Sequence, residues 1–560
     1  MKKRIPIGVS DFKSIIEENY YFVDKSLFIK EVIEDGSKVI LIPRPRRFGK
    51  TLNLSMLKYF YEKESCDNRY LFSNLKINKF KEVMDIQGKY PVIYITFKDE
   101  KHSQWERCLS SLERLIKSEF GKHSYILKSD VLAEYEKEEV LDILYGRASH
   151  DTYIDGLKLL SEYLYRYYNK KVVILIDEYD VPIQSGFLYG YYDKVIEFMR
   201  IFLSGGLKDN VYLEKSVLTG ILRVAKESIF SGLNNLDVST ILSYNFDSWF
   251  GFLDEEVEEL FKYYNIEYDM DNVRNWYNGY IFGDKVIYNP WSVLKYAKSY
   301  REGFKPYWVN TSSNDLVKRI LSRGGEKLKI ELESLIKGEP IEKIVNQDIV
   351  IKDIDSSSEN TWSFLLFSGY LKVCDRKWKE GDLYCKLTIP NLEVKYLYKQ
   401  IIKSWFNENV SSDNFNIMLK SLITGDIETF DILFSEYVLK SLSYFDVGST
   451  ESEKVYHAFV LGMLVSLNKD YYVKSNRESG YGRYDVMIIP KDINKKGIII
   501  EFKKVFAKED LEKAALKALK QIREKKYRQE LIYRGVKDII ELAIVFEGKN
   551  VFIKKNMQSL

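Results

Sequence analysis

Residues 38–51 read Lys38-Val-Ile-Leu-Ile-Pro43-Arg44-Pro-Arg-Arg-Phe-Gly-Lys-Thr51. An apolar, β-branched run is followed by a loop that ends in Gly49-Lys50-Thr51 and then by a stretch with helical periodicity. The loop matches the end of the phosphate-loop pattern G-x-x-x-x-G-K-[ST], although Arg44 occupies the first glycine position. Free backbone N–H groups and the helix dipole favour an anion at such a helix start. The sequence therefore predicts an ATP site in which Lys50 reaches the β- and γ-phosphates and Thr51 helps to hold Mg²⁺.

A second apolar run ends in two carboxylates. Val172-Val-Ile-Leu-Ile-Asp-Glu178 has the form of a Walker B strand, in which Asp177 would bind Mg²⁺ through water and Glu178 would polarise the attacking water. A strand predicted at 91–97 separates the two motifs along the chain, which is typical of P-loop ATPases with a strand inserted between them. A later predicted strand ends at Thr219, which is placed to sense the γ-phosphate.

Arginines add positive charge to this predicted site. Arg44, Arg46 and Arg47 replace the usual glycine-rich cradle and are candidates for phosphate contact, and Arg223 is a candidate for a cation supplied in cis. Whether ATP is hydrolysed or only bound stays open. In the alternative interpretation the Gly-Lys-Thr motif is an ordinary helix start and the two carboxylates a solvated strand end. The presence of both motifs in the right order favours nucleotide binding.

The pattern around these motifs predicts an α/β fold. Apolar, β-branched runs alternate with helical stretches, as in parallel sheets. From about 250 to 450 the pattern is mostly helical, and from 453 it predicts a helix, two strands, a long charged helix near 509–530 and a strand pair around Gly548. In the first part the predicted strands are 38–43, 91–97, 172–176 and 211–218, and the predicted helices lie near 50–63, 103–120, 153–168 and 191–204.

The composition indicates several globular units and excludes a wholly disordered chain or a small disulfide-rich protein. The chain has 560 residues, 45% of them hydrophobic and 30% charged, and its net charge of +3 means that any nucleic-acid surface must be local. No apolar run is long enough to span a bilayer, and the N-terminus lacks the apolar stretch of a signal peptide. We therefore expect a cytoplasmic protein without membrane contact. Its four cysteines lack zinc-ligand spacing and suit a reducing compartment: Cys66, Cys108, Cys374 and Cys385.

Residues 480–503 contain a second set of chemically suited side chains. The strands predicted at 484–489 and 497–503 form a hairpin, and Glu501 and Lys503 lie two apart, so they point to the same face. Charges at the end of an apolar strand need partners, which Asp485, a divalent cation and a phosphate would supply. Two carboxylates bind Mg²⁺ or Mn²⁺, and a neighbouring lysine can orient water and balance charge on a phosphate. The spacing alone equally fits an ordinary ion pair on a hairpin.

Flanking residues extend this predicted site. Glu453, on a preceding helix, is a candidate metal or water ligand, with Glu451 as the competing choice, and Gln521 lies on the following charged helix. Residues 491–530 hold 13 Lys/Arg against 7 Asp/Glu, a local surplus of +6. A basic ridge of this kind suits binding to a nucleic-acid backbone, although Lys-rich helices are often only solvated faces.

The whole chain resembles a bacterial and archaeal family of AAA-ATPase-like proteins fused to a PD-(D/E)XK nuclease domain. The resemblance covers nearly all of residues 1–530. It rests on these stretches: Ile7-Gly-Val-Ser-Asp-Phe12, Tyr21-Phe-Val-Asp-Lys-Ser26, Arg44-Pro-Arg-Arg-Phe-Gly-Lys-Thr51, Leu175-Ile-Asp-Glu-Tyr-Asp180, Leu218-Thr-Gly-Ile-Leu-Arg223, Ser231-Gly-Leu-Asn-Asn-Leu236, Trp276-Tyr-Asn-Gly-Tyr280, Tyr288-Asn-Pro-Trp-Ser292, Tyr307-Trp-Val-Asn-Thr-Ser312, Ser368-Gly-Tyr370, Ile389-Pro-Asn-Leu-Glu393, Ser475-Asn-Arg-Glu-Ser-Gly-Tyr-Gly-Arg-Tyr-Asp485 and Ile500-Glu-Phe-Lys503.

The resemblance implies a fold and a function. It implies Asp485, Glu501 and Lys503 as the active-site triplet, with Tyr484 in place of the proline of the family's name. We expect a P-loop ATPase core at 1–250, a mainly helical middle region at 251–450 and a restriction-endonuclease-like α/β domain at 451–560. The predicted activity is ATP-controlled, Mg²⁺-dependent hydrolysis of DNA or RNA, and a homo-oligomer is left open. The alternatives are a nucleotide-dependent switch that cuts nothing, or an ATPase whose nuclease-like domain only binds nucleic acid.

Overall fold

The computed structural model contains two compact units, Met1–Ile320 with Pro340–Val394 and Leu321–Glu339 with Lys395–Leu560. The predicted division of the chain into three parts at 250 and 450 stays a prediction. The structure describes residues 2–556 except 64–66, 223–228, 230–234, 309–315, 318–319, 322–325, 349–350, 355–357, 408–411, 443–459, 461–462, 465–466, 468–469, 480–481, 506–508 and 549.

The first unit is built on a parallel sheet of buried strands. Its order in space is β2-β3-β4-β1-β5, and every recorded pairing within it is parallel. The strand inserted between the phosphate-loop strand β1 and the Walker B strand β3 is therefore β4, whereas β2 lies at the edge. The carboxyl ends of parallel strands meet at one edge, where ligands bind. The strands are β1 (Val39–Pro43), β2 (Val92–Thr96), β3 (Val172–Asp177), β4 (Leu213–Gly220) and β5 (Leu236–Val238).

Helices surround this sheet and continue through the middle of the chain. Those predicted near 50–63, 103–120, 153–168 and 191–204 appear as α3, α5, α7 and α9. The described helices, in chain order, are α1 (Phe12–Glu17), α2 (Leu27–Glu34), α3 (Lys50–Tyr61), α4 (Lys81–Met84), α5 (Trp105–Lys122), α6 (Glu134–Tyr145), α7 (His150–Tyr168), α8 (Val181–Tyr189), α9 (Tyr192–Leu207), α10 (Asp254–Tyr264), α11 (Met270–Tyr277), α12 (Pro290–Ser299), α13 (Glu326–Lys337), α14 (Ser358–Phe367), α15 (Leu392–Asn407), α16 (Ser412–Thr424), α17 (Ile427–Leu442), α18 (Leu511–Glu524) and α19 (Arg528–Tyr533).

The middle region is helical, as predicted, but it also contains short antiparallel sheets. A hairpin pairs β6 (Tyr280–Phe282) with β7 (Lys285–Ile287), and three further strands are ordered β8-β10-β9. These are β8 (Ile341–Ile344), β9 (Lys372–Lys379) and β10 (Asp382–Thr388). The sequence of β9 is rich in charged residues and lacks the apolar run typical of a strand, since all of its side chains are exposed or half-buried.

The second unit contains a mixed sheet with the order β11-β12-β13-β14-β15. Strands β13 and β14 are parallel and the other pairs are antiparallel. The hairpin predicted at 484–503 and the strand pair around Gly548 are both present. The strands are β11 (Tyr471–Ser479), β12 (Gly482–Pro490), β13 (Gly497–Lys504), β14 (Ile539–Glu547) and β15 (Asn550–Lys555).

Both faces of this second sheet are covered. Apolar residues of α16 and α17 pack on one face and those of α18 on the other. The prediction of a single long helix near 509–530 is wrong, because this segment forms two helices, α18 and α19. Lys526 between them has a φ of 54°, a left-handed conformation that an α-helix cannot contain. Throughout the described ranges, no helix combines the length and the apolar character needed to cross a bilayer.

Candidate functional site

The phosphate-loop motif lies between β1 and α3 in the first unit. Gly49 precedes the first residue of α3 with a φ of 87°, and Arg47 has a φ of 70°. A left-handed residue is cheap at glycine and costs about 1 kcal/mol or more elsewhere, so the surroundings must hold Arg47 in place. Left-handed residues within such a loop turn neighbouring backbone N–H groups toward one point, which is the geometry of an anion site.

The side chain of Arg44 is not exposed at the surface of this loop. Its side chain is fully buried, and its guanidinium donates to the carbonyl oxygens of Pro43, Ser239 and Phe246 at 2.9, 2.6 and 3.2 Å. Burial lowers the pKa of Arg44 to about 9. The expectation that Arg44 could contact phosphate is therefore wrong, because its charge is used to join the loop to the segment after β5.

Lys50, Thr51 and Asp177 converge at the carboxyl edge of the sheet. Thr51 Oγ1 donates to Asp177 Oδ2 at 2.8 Å, and the Lys50 side chain is buried with its Nζ 3.3 Å from the Pro45 carbonyl oxygen. Asp177 is fully buried, and burial followed by the charge of Glu178 raises its pKa. A hydroxyl and a carboxylate in contact beside a lysine are a donor set that suits a Mg²⁺-bound triphosphate.

Glu178 faces Lys50 across the same edge. Its Oε1 lies 3.4 Å from Lys50 Nζ, and its φ of 53° places a non-glycine residue in the left-handed region. Burial alone would raise the pKa of Glu178. The charges of Lys50, Arg46 and Lys101, together with the hydrogen bond from Lys50, outweigh burial and keep this pKa below its usual value. The carboxylate is therefore ionised and able to accept a proton or a hydrogen bond from water.

Thr219 also contacts Asp177, through its Oγ1 at 2.8 Å from Asp177 Oδ1. The turn after Thr219 is held by Asp180, to which sequence reasoning assigned no role. Asp180 is fully buried, and its Oδ2 accepts from the backbone N–H groups of Ile221 and Leu222 at 3.0 and 3.1 Å. An acidic residue three positions after the Walker B aspartate is a sequence signal that could have found this contact. Arg223 lies outside the described residues.

A cavity of about 430 Å³ opens against the phosphate loop, within the size range of small-molecule sites. The loop forms one wall, and the N-terminal segment forms another through Gly8, Tyr21 and Phe22. Trp249 and Trp291 add large aromatic surfaces. The cavity thus combines a cationic, N–H-rich end with an aromatic remainder, as a nucleotide requires.

Five cationic side chains line this cavity in addition to Lys50, and one of them, Lys25, is paired with Glu256 at 2.7 Å. Arg46 donates to Gln184 Oε1 at 3.3 Å, and the Arg47 guanidinium lies 4.4 Å from the centre of the Trp291 ring. Lys98 and Lys101, which sequence reasoning missed, line the cavity too. They follow β2, whose carboxyl end adjoins that of β3, and this adjacency was the available signal.

In the second unit, the structure brings Asp485, Glu501 and Lys503 together. Asp485 on β12 accepts from the backbone N–H of Phe502 through Oδ2 at 2.8 Å, and Lys503 Nζ lies 3.5 Å from Glu501 Oε1. Glu501 and Lys503 share one face of β13, as their spacing predicts. Two carboxylates and a lysine therefore meet where the strands β12 and β13 pair.

The carboxylate of Glu501 is buried, and only one of its two oxygens has a hydrogen-bond partner among the described residues. It is 1% exposed, and burial followed by the charge of Asp485 raises its pKa to about 8. Its Oε2 has no hydrogen-bond partner among the described residues. Because an uncompensated buried carboxylate oxygen is costly, this atom fits a divalent cation bound by Glu501 and Asp485.

Gln521 completes the described part of this site. Its Nε2 donates to Glu501 Oε1 from α18, as expected for a residue on the charged helix. Tyr527 is buried beside it, with its ring 6.0 Å from that of Tyr484. Glu453 and its competitor Glu451 lie outside the described residues.

Fold and site define a chain that joins an ATPase-like region to a nuclease-like region. Residues 6–230 match the AAA-ATPase-like family model, described as "Predicted AAA-ATPase". Residues 451–556 match a model of the PD-(D/E)XK nuclease superfamily. These matches confirm the fusion that the sequence motifs predict.

The chain is also similar along most of its length to one further protein. The chain is 25% identical over 540 residues to a protein of Azotobacter chroococcum mcd 1 named "Uncharacterized protein in vnfD 5'region". The alignment covers 95% of this chain and 95% of that protein. The similarity therefore spans both units.

Proposed function

We propose that the protein is an ATP-binding, Mg²⁺-dependent nuclease that hydrolyses phosphodiester bonds of DNA or RNA under control of its N-terminal ATPase region. The observation that carries this proposal is Glu501: a buried carboxylate with an unpartnered oxygen, beside Asp485 and Lys503. Such a cluster costs folding free energy, so a structural role is a poor explanation for it.

Each residue of the cluster has a chemical task in this proposal. Asp485 and Glu501 would hold Mg²⁺ or Mn²⁺, which polarises a phosphate oxygen and lowers the pKa of water. Lys503 would orient the attacking water and balance the charge that develops on the phosphate. Gln521 donates to Oε1 of Glu501 and would thereby leave Oε2 of Glu501 for the metal ion.

The polynucleotide would lie along the basic ridge. Lys517 and Lys525 of this ridge are exposed, and no ion pair is recorded for either among the described residues. Exposed lysines that lack acidic partners attract phosphates and release counterions on binding, so the affinity should fall steeply with salt. DNA and RNA share this chemistry.

The first unit would bind ATP with its phosphates at Lys50 and Thr51 and its base in the aromatic part of the cavity. Glu178 would polarise the water that attacks the γ-phosphate, with Thr219 close to Asp177. Arg46 and Arg47 belong to the loop, line the cavity and would contact the phosphates. Arg223 stays a candidate for the additional cation, and the homo-oligomer and the cytoplasmic location stay predictions.

A nucleotide-dependent switch without cleavage is the second candidate. The Lys50–Glu178 ion pair favours it, because that pair neutralises the two side chains that hydrolysis requires. In this version ATP binding separates the pair and changes the conformation of the loop, and the nuclease-like region only binds its partner.

The test uses the purified full chain. Labelled double-stranded DNA, single-stranded DNA and RNA are incubated with Mg²⁺, Mn²⁺ or EDTA, each with and without ATP. We expect metal-dependent cleavage of at least one substrate, with a rate that ATP changes by about tenfold. ATP should not change the rate in Lys50→Ala. Intact substrates under every metal would contradict the proposal and favour the switch.

A further inference from the structure

The middle-region motifs that the proposed function does not use converge on the phosphate loop. Trp308 Nε1 donates to the carbonyl oxygen of Arg46 at 3.1 Å. The ring of Phe48 packs against that of Tyr280 at 4.8 Å between centres. Gly369 lies so close to Pro45 that an added Cβ would approach the proline Cβ to 2.8 Å. Three residues of the loop, Pro45, Arg46 and Phe48, are therefore in contact with the middle region.

The carboxylate of Glu393 connects two of the side chains that contact the loop, Trp308 and Trp291. Glu393 Oε1 accepts from the backbone N–H of Trp308 at 2.6 Å, and its Oε2 accepts from Ser292 Oγ at 2.8 Å. Ser292 is on α12 next to Trp291, and the Arg47 guanidinium lies over the ring of Trp291. Through its two oxygens, Glu393 thus reaches both Arg46 and Arg47.

No cation among the described groups compensates the charge of Glu393. Its side chain is fully buried, and the titratable groups that act on it or that it acts on are tyrosines: Tyr277, Tyr280 and Tyr307. Burial raises the pKa of Glu393 to about 7, against the hydrogen bonds from Trp308, Ser292 and Tyr307. A glutamine would fill the same volume without this cost, so packing alone does not explain a carboxylate here.

We infer that Glu393 is a positioning residue of the nucleotide site: its carboxylate fixes Trp308 and the helix that carries Trp291, and these two tryptophans hold Arg46 and Arg47 in their phosphate-binding conformation. The inference rests on the proposed binding of ATP. Such support accounts for the left-handed backbone of Arg47, which costs free energy and persists only where the surroundings hold it. Glu393 touches neither the cavity nor the nucleotide, and it acts only through its neighbours.

The experiment measures the affinity of the full chain for a fluorescent ATP analogue at pH 6 and pH 8. Glu393→Gln keeps the shape but replaces one acceptor by an amide donor, so we expect about tenfold weaker binding at pH 8. At pH 6 the wild-type carboxyl is mostly protonated and resembles the amide, so the loss should shrink to about twofold or less. Glu393→Ala, which lacks both acceptors, should bind more weakly than Glu393→Gln.

Glu119→Gln is the matched control. Glu119 is also a buried glutamate that accepts from a backbone N–H, that of Tyr94 at 2.9 Å, but it lies on α5 and is not part of the nucleotide cavity. It should lower thermal stability without changing ATP affinity. Trp308→Phe, which removes the donor to Arg46, should weaken binding as Glu393→Gln does, and the double variant should lose less than the product of the two losses.

The outcomes separate this inference from the proposed function. Wild-type affinity in Glu393→Gln at both pH values, or equal losses at pH 6 and pH 8, would overturn the positioning role while leaving ATP binding intact. A wild-type chain that binds no ATP analogue would contradict the proposed function and this role with it.

Discussion

Lys50 Nζ lies 3.4 Å from Glu178 Oε1, so the lysine placed to bind phosphate is paired with the carboxylate placed to polarise water. Lys50 is buried and Glu178 mostly so, and Glu178 has a left-handed backbone. A triphosphate bound at the loop would compete with Glu178 for the lysine. In the proposed function, hydrolysis of ATP would therefore begin with the separation of this pair.

Glu178→Gln should uncouple binding from hydrolysis. The amide no longer attracts Lys50, so ATP should bind at least as tightly as to the wild-type chain. Phosphate release should fall by about 10² or more, because general-base catalysis contributes on that order. Equilibrium titration and a phosphate-release assay measure the two quantities.

Glu62→Gln is the control for this change, because Glu62 pairs with Lys58 at the other end of α3, at 3.5 Å. It should hydrolyse ATP at the wild-type rate. Unchanged hydrolysis in Glu178→Gln would mean that another residue activates the water.

Gly369→Ala should impair ATP binding from outside the cavity. Its Cβ would lie 2.8 Å from that of Pro45, at a φ of 87° that disfavours alanine, so the loop must shift. We expect ATP affinity to fall by about tenfold or more. Gly381→Ala has equal backbone strain, with a φ of 92°, but meets no atom within 4 Å. If both variants lose affinity equally, the contact with Pro45 has no role in it.

The sequence was sufficient for features that depend on local pattern. Apolar runs followed by Gly49-Lys50-Thr51 and Asp177-Glu178 predict strands that end at a shared edge, and the Glu501–Lys503 spacing predicts side chains on one face. Arg44 was misjudged because the pattern does not reveal that a guanidinium is buried among carbonyl oxygens.

Other features required the tertiary structure. Glu393 and its partners Trp308 and Ser292 are 85 and 101 residues apart, so no spacing rule connects them. The strands β9 and β11 were missed because they carry many polar side chains, and their strand character comes from pairing with β10 and β12.

The stability of the protein should depend on pH through Glu393. Its pKa rises from 4.5 to about 7 on folding, so the folded state binds the proton more tightly than the unfolded state. The resulting stabilisation is complete below about pH 4.5 and is lost as the pH rises through 7. Relative to Glu393→Gln, the wild-type free energy of unfolding should fall by about 2 kcal/mol between pH 5.5 and 8.5.

Denaturant titration at the two pH values measures this difference. Glu119→Gln again serves as control: hydrogen bonds and charges from His123 and Lys122 overcome burial and lower the pKa of Glu119. Its contribution is therefore present above the unfolded pKa and is lost only as the pH falls below that value. A wild-type curve parallel to that of Glu393→Gln would contradict the raised pKa.

The most direct test of the account compares two buried glutamates of the second sheet in a Mg²⁺-dependent cleavage assay. Glu501 is 1% exposed on β13, and Glu541 is 2% exposed on the adjacent strand β14, where it pairs with Arg528 at 3.4 Å. If Asp485, Glu501 and Lys503 form the nuclease site, Glu501→Gln should abolish cleavage of a labelled polynucleotide, and Glu541→Gln should cleave it like the wild-type chain. Full cleavage by Glu501→Gln, with folding intact, would contradict the nuclease assignment.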